Sequence, residues 1–416
     1  MIDPERVRRH FPAIRPGGPI FFDNPAGTQI AAESMERMTD YLVHRNANHG
    51  GVFRASRESD AMVREARAAM ADLLGAARPE EISFGQNMTS LTMHVSRSLA
   101  AGLSAGDEVV VTRLDHDANI SPWLLAARDR GCTVRWVDID PAECAWSVDE
   151  LARQVTSRTK IVAVGCASNS SGTINPVAEA ARVAHEAGAL CFVDAVHFVP
   201  HGPLDVKALG CDLLACSAYK FFGPHTGVLW GRQDLMERLA AYKVRPAGDA
   251  PPDKWETGTQ SFESIAGVLG AVEYLEWVGR TFGETSAGAA GRPAVLKAAM
   301  TAIREYEATL SVAMHAGLAA IPGLTIHGIV DPARFHRRVP TFVFTLADRH
   351  PRAICEALDR AGINAWNGNY YAPEVTTKLG LEKTGGMVRV GAVHYTTRAE
   401  VDALVAAVRR IADDRA

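Results

Sequence analysis

From residue 108 to residue 217 the chain alternates short, continuously apolar runs with segments of helical spacing. Glu108-Val109-Val110-Val111-Thr112, Thr133-Val134-Arg135-Trp136-Val137 and Lys160-Ile161-Val162-Ala163-Val164 read as strands, followed by Leu190-Cys191-Phe192-Val193-Asp194 and Asp212-Leu213-Leu214-Ala215-Cys216. Val177 to Ala187, lying between two of them, repeats its apolar residues at helical intervals. A strand apolar on both faces has both faces covered. Such strands alternating with helices predict an α/β fold built on a mostly parallel sheet.

The rhythm changes after the Gly/Ala/Ser-rich stretch Gly283 to Gly291, which reads as a loop. A helix is predicted from about Ala294 to Ala320. Short strands at Leu324–Ile326, Thr341–Thr345 and Met387–Val390, a helix over Arg352–Ala361 and a last helix over Arg398–Asp413 complete a smaller α+β unit. The expected organisation is an arm over residues 1–30 that packs on the small domain, a large domain over 31–285 and a small C-terminal domain over 286–416.

Composition narrows the function. Of 416 residues, 47% are hydrophobic and 22% charged, enough for a large buried core. Lys and Arg total 44 against 48 Asp and Glu, so no excess of positive charge calls for nucleic acid. No apolar run reaches the roughly 18 residues of a membrane span, and Met1 to Arg6 lacks the apolar core of a signal peptide. The seven cysteines show no Cys-x-x-Cys spacing, and several sit in strand-like runs. They read as reduced thiols of a cytoplasmic protein, with no metal site expected.

The chemistry concentrates at strand ends. Asp194 closes one apolar run, and Lys220 follows the next in Ser217-Ala218-Tyr219-Lys220-Phe221-Phe222-Gly223-Pro224. Parallel strands share the edge where α/β folds bind ligands, so these two side chains can meet in one pocket. A buried Asp keeps a pyridine nitrogen protonated, and a buried Lys with a lowered pKa forms a Schiff base and carries protons. That pairing suits pyridoxal 5′-phosphate (PLP). Spacing alone fits a strand-end Asp and a surface Lys equally well.

Ser-x-x-Lys after a Val-Asp-Ala strand end resembles the class V aminotransferases of PLP fold type I, nearest the cysteine-desulfurase and isopenicillin-epimerase branch. The likeness runs from Phe21-Phe22-Asp23-Asn24-Pro25-Ala26-Gly27-Thr28 to His394-Tyr395-Thr396. It implies a large domain with a mostly parallel seven-stranded sheet, PLP on Lys220, and a homodimer with shared active sites. By the same likeness Met88, Thr89 and Ser217 meet the cofactor phosphate, within reach of the Tyr219 hydroxyl, while Asn169 and His197 meet its phenolic oxygen. Thr259, in Trp255-Glu256-Thr257-Gly258-Thr259-Gln260, would touch the partner's phosphate. Ala26 would border the substrate. Arg389, in the apolar run Val388-Arg389-Val390, would grip its α-carboxylate with a bidentate fork.

Two departures separate the chain from the desulfurases. Their Glu-His-His-Ala-Asn motif, which supplies a His stacked on the cofactor, is Asp115-His116-Asp117-Ala118-Asn119 here. Aligned residue by residue, the stacking position falls on Asp117, which would then act as an acid or base at the ring edge. Their mobile cysteine corresponds to Tyr371 in Ala365-Trp366-Asn367-Gly368-Asn369-Tyr370-Tyr371-Ala372, and a phenol carries no persulfide. The chain therefore resembles the subgroup without that cysteine. This implies a PLP enzyme acting on a small L-amino acid, such as a cysteine derivative or aspartate. Loss of the α-proton gives a quinonoid, then a bond at Cβ breaks or forms. Trp366, Asn369 and Tyr371 would line the entrance. A class V aminotransferase is the alternative, and a PLP-binding protein without turnover is a third reading.

Overall fold

The computed structural model describes residues 1–284 and 291–414. The central sheet has seven strands: β1 (Ile82–Gly85), β2 (Glu108–Thr112), β3 (Thr133–Val137), β4 (Thr159–Gly165), β5 (Leu190–Asp194), β6 (Leu213–Ser217) and β7 (Gly227–Gly231). Their order is β1-β7-β6-β5-β4-β2-β3. From β6 through β3 every pairing is parallel, whereas β7 runs antiparallel to both β6 and β1. Every residue of β2, β6 and β7 is buried, as continuous apolar runs require. The sequence pattern does not single out β1 and β7. β1 has only four residues and ends in glycine, and β7 is bounded by glycine at both ends, which leaves two apolar residues in β1 and three in β7.

A second, antiparallel sheet comprises Leu324–His327, Thr341–Leu346, Trp366–Gly368 and Met387–Gly391, with Thr341–Leu346 and Met387–Gly391 at its centre. The long helix Arg292–Ala319 packs on Phe262–Phe282 and on Arg398–Asp413. Within the Gly283–Gly291 stretch read as a loop, residues 285–290 lie outside the described residues, as does the expected boundary at 285/286. Near the N-terminus, Ile20–Phe21 pairs in parallel with Ile363–Asn364. Gly391 N–H donates to Phe22 O at 2.8 Å, and Asn24 Nδ2 donates to Gly391 O at 2.8 Å. These bonds bring Pro25 and Ala26 to the end of the strand that carries Arg389.

The two sheets meet at the loop after β4. Gly172, in the left-handed region at φ +77°, lets this loop pass under the small sheet, and Val339 N–H donates to Gly172 O at 2.9 Å. A Cβ on Gly172 would lie 2.6 Å from Thr341 O and 3.1 Å from Val339 O. Gly188 has a similar φ of +75° with nothing within 4 Å. Gly172→Ala should therefore cost about 2–3 kcal/mol and Gly188→Ala only about 1 kcal/mol. Thermal unfolding of the two variants checks the difference, and equal losses would contradict the close approach.

Candidate active site

The C-terminal ends of β2, β4, β5 and β6 share one edge, and an inner cavity of about 80 Å³ opens there. Met88, Thr89, Asp115, His116, Asn169, Asp194, His197, Ser217, Tyr219 and Lys220 all line it. It adjoins an outer cavity of about 440 Å³ that shares His116, Asn169, Tyr219 and Lys220 and adds Ala26, Trp366, Asn369, Tyr370, Tyr371 and Arg389. A larger groove of about 790 Å³ lies elsewhere; its carboxylates Asp138, Glu143 and Glu150 are paired with Lys378, Arg334 and Arg153, and its fourth, Asp140, accepts from Ala142 N–H at 2.9 Å. The chemistry belongs to the two adjoining cavities.

One end of the inner cavity is built to receive an anion. Helix Met88–Ala100 starts there, capped by Asn87, whose Oδ1 accepts from Ser90 N–H at 2.9 Å. Because Asn87 is the cap, Thr89 is left to line the cavity. Met88 N–H donates to Ser217 Oγ at 3.1 Å. Backbone donors, two hydroxyls and a helix N-terminus fit a phosphate group.

At the other end sits Asp194, buried, with Oδ1 accepting from Val196 N–H at 2.9 Å. Burial pushes its carboxyl up to about 6, against the pull of that N–H and of Lys220. A buried carboxylate so poorly satisfied suits a cationic partner. Lys220 is buried as well, and Nζ donates to Pro25 O. Burial, helped by the Arg389 charge and opposed by Asp194, brings its amine down to about 7. Asn169 Nδ2 donates to Tyr370 O at 2.8 Å, while its buried Oδ1 has no partner among the described residues. His197 Nε2 contacts Thr341 Oγ1 at 3.0 Å, and burial holds its ring neutral.

Arg389 is buried in the small sheet, with Nη1 donating to Asn169 O at 2.6 Å and its guanidinium 4.3 Å from the Tyr370 ring centre. Its Nε has no partner among the described residues. Burial lowers its pKa to about 10, so it stays charged at neutral pH. A buried cation with an unused donor beside a cavity can take a carboxylate.

Asp117 does not reach the site. A turn of 3₁₀-helix over Asp117–Asn119 carries it away, and its carboxylate accepts from Ser121 Oγ at 2.6 Å. His116 takes the expected place. Its Nδ1 accepts from Ala118 N–H at 3.0 Å, which fixes the ring in the cavity, where it stacks on Tyr371 with centroids 5.5 Å apart and planes 19° apart. Burial, Lys220 and Arg389 push it down to about 4, so it is neutral at pH 7. Asp115, unmarked by the sequence pattern, also lines the inner cavity; it is buried and accepts from Thr112 Oγ1, Asn119 Nδ2 and Gly165 N–H at 2.8, 2.8 and 3.1 Å. It buttresses the ends of β2 and β4.

Thr259 lies outside both cavities, exposed on a groove it shares with Gly85, His225, Thr226 and Trp255. Among the described residues, no cysteine is among those lining the two cavities. The loop that carries Tyr371 is fixed. Tyr370 and Tyr371 both hold positive φ, +57° and +60°, and Asp117 N–H donates to Tyr371 O at 2.7 Å.

Comparison with known proteins agrees with this geometry. Residues 20–404 match the family described as Aminotransferase class-V, and the chain belongs to that family. It is therefore a PLP-dependent enzyme. It is 33% identical to the aminotransferase-like protein FGM3 of Gibberella zeae, over 98% of each chain. It is 32% identical to a cysteine desulfurase of Synechococcus elongatus over 98% of its own length, but spans only 64% of that protein. Its fold matches the apo cysteine desulfurase of Thermococcus onnurineus NA1 with a TM-score of 0.88 at 25% identity, covering 100% of this chain and 99% of the other.

In the cofactor-free protein, the lowered pKa of Lys220 makes its neutral amine the major form above pH 7 rather than above pH 10. Borohydride-trapped addition of pyridoxal to Lys220, followed by peptide mass, should be half-maximal near pH 7 and rise with pH. A midpoint above pH 9 would contradict the burial argument.

Proposed function

We propose that this enzyme makes or breaks a bond at Cβ of an L-amino acid, and that a C–S lyase reaction is its simplest form. The observation that carries the reading is Tyr371. It stands at the cavity mouth, the sequence resemblance aligns it with the nucleophilic cysteine of the desulfurase branch, and no cysteine lines the cavity among the described residues. A fixed phenol cannot accept sulfur.

In this reading Met88 N–H, Thr89 and Ser217 hold the cofactor phosphate. Tyr219 is stacked on His225 with centroids 4.9 Å apart, and closes the same wall. Asp194 holds a proton on the pyridine nitrogen, Asn169 and His197 meet the phenolic oxygen, and neutral His116 covers the ring. Lys220 anchors the cofactor. When bound, PLP supplies an electron sink that stabilises negative charge at Cα. Arg389 holds the α-carboxylate beside Ala26, and Lys220, with an amine poised near neutrality, takes the α-proton. For a sulfur substituent the Cβ–S bond then breaks, and its electron pair leaves with sulfur, which is released as a thiol. The three-carbon fragment takes up one water and leaves as pyruvate and ammonium. The same reading makes the protein a cytoplasmic homodimer, with Thr259 reaching the partner's cofactor phosphate.

The test is to supply an S-substituted L-cysteine and quantify thiol, pyruvate and ammonium, which should appear in equal amounts with the cofactor returning to its starting spectrum. A keto acid formed once per active site, with lasting loss of colour, would make the enzyme an aminotransferase instead. Free L-cysteine, supplied in parallel, yielding alanine together with protein-bound persulfide would make it a desulfurase. Arg389→Leu should raise KM for the amino acid roughly 10- to 100-fold, the value of a charged hydrogen-bonded contact. An unchanged KM would remove Arg389 from substrate binding.

A further inference from the structure

The walls of the outer cavity also bear on the group that the substrate carries at Cβ. Trp366 is the direct cross-strand partner of Arg389 in the antiparallel pairing. Directly opposed residues project from the same face of a sheet, with Cβ atoms about 5 Å apart. Whatever Arg389 holds by its carboxylate therefore lies beside the indole. Tyr371 closes the other side. Its ring is kept over His116 by two successive left-handed residues and by the bond from Asp117 N–H to its carbonyl.

Charge on the walls is restricted. Lys220 and Arg389 are the only cationic side chains lining the outer cavity, and no Asp or Glu lines it among the described residues. One cation is committed to the cofactor and the other to the α-carboxylate. Within this chain a second carboxylate on the substrate meets no further cation among the described residues, and an ammonium group meets no anion. Trp366 and Tyr371 are 51% and 74% exposed, which leaves two aromatic surfaces for a flat group to cover. Aromatic pairs gain from contact beyond the area they bury.

We propose that the natural substrate carries an uncharged, planar aromatic or heteroaromatic group on Cβ, packed against Trp366 and Tyr371. This rests on Arg389 being the carboxylate anchor, as argued above, and it disfavours aspartate and cysteine sulfinate as substrates. Trp366 and Tyr371 then determine specificity, while the cofactor site stays as described.

The test uses the PLP-loaded enzyme and four ligands that differ only beyond sulfur: S-benzyl-, S-methyl-, S-carboxymethyl- and S-(2-aminoethyl)-L-cysteine. Apparent Kd is read from the amplitude of the cofactor absorbance change on rapid mixing, before turnover, and products are analysed in the same samples after longer incubation. S-benzyl-L-cysteine should bind at least tenfold more tightly than either charged ligand, and Trp366→Ala should remove most of that advantage. A charged ligand binding as tightly as the benzyl one, or an order unchanged by Trp366→Ala, would overturn the proposal. Should the binding order hold while no thiol is released, the Cβ reaction fails and the specificity stands. Should no amino acid perturb the spectrum, both fail.

Discussion

Arg389 donates to the carbonyl of Asn169, and the site depends on this bond between a buried guanidinium in the small sheet and the loop leaving the large one. Burying a charge costs several kcal/mol unless partners offset it. Here one backbone carbonyl and the face of Tyr370 offset part of the cost and leave Nε free. The same contact fixes Asn169, whose amide holds the carbonyl of Tyr370 and so positions the loop carrying Tyr371. Arg389, Asn169 and the loop at the mouth of the outer cavity are thus a single hydrogen-bonded assembly. The glycine at position 172 allows it by letting the loop from β4 come within contact of Thr341.

The electrostatics follow from burial. Lys220, Asp194, His116 and Arg389 are all displaced toward their neutral forms, and burial is the first cause in each. The result is an amine near neutrality, a carboxylate in want of a cation and an imidazole without charge. Perturbed groups gathered in one cleft mark catalytic sites, and these four share two adjoining cavities.

Much of this was legible in the sequence. The parallel strands announce themselves because burial on both faces leaves continuous apolar runs, and Asp194 and Lys220 stand where those runs end, a placement that singles them out only together with the resemblance of their motif to the class V aminotransferases. The antiparallel edge formed by β1 and β7 was not legible, since β1 has only four residues and glycine bounds β7 at both ends. The exchange of Asp117 for His116 has a similar cause. Register along a turn between strand and helix is set by hydrogen bonds, here His116 Nδ1 to Ala118 N–H and Ser121 Oγ to Asp117, rather than by periodicity. A His immediately before a short polar turn that leads into a helix was the available signal. Asp115 left little, because only two of its partners, Thr112 and Asn119, are local, while the third, Gly165, reaches it only when β2 and β4 align.

The claim that everything else assumes is that Lys220 moves the α-proton of an amino acid held by Arg389. Exchange of the α-hydrogen in deuterium oxide, followed by NMR on the PLP-loaded enzyme with S-benzyl-L-cysteine or L-alanine, measures that step whatever bond changes afterwards. The natural enzyme should exchange the hydrogen, Lys220→Ala should lose the exchange, and Arg389→Leu should need a higher amino-acid concentration for half-maximal exchange. Exchange that persists without Lys220, or that is indifferent to Arg389, would contradict it.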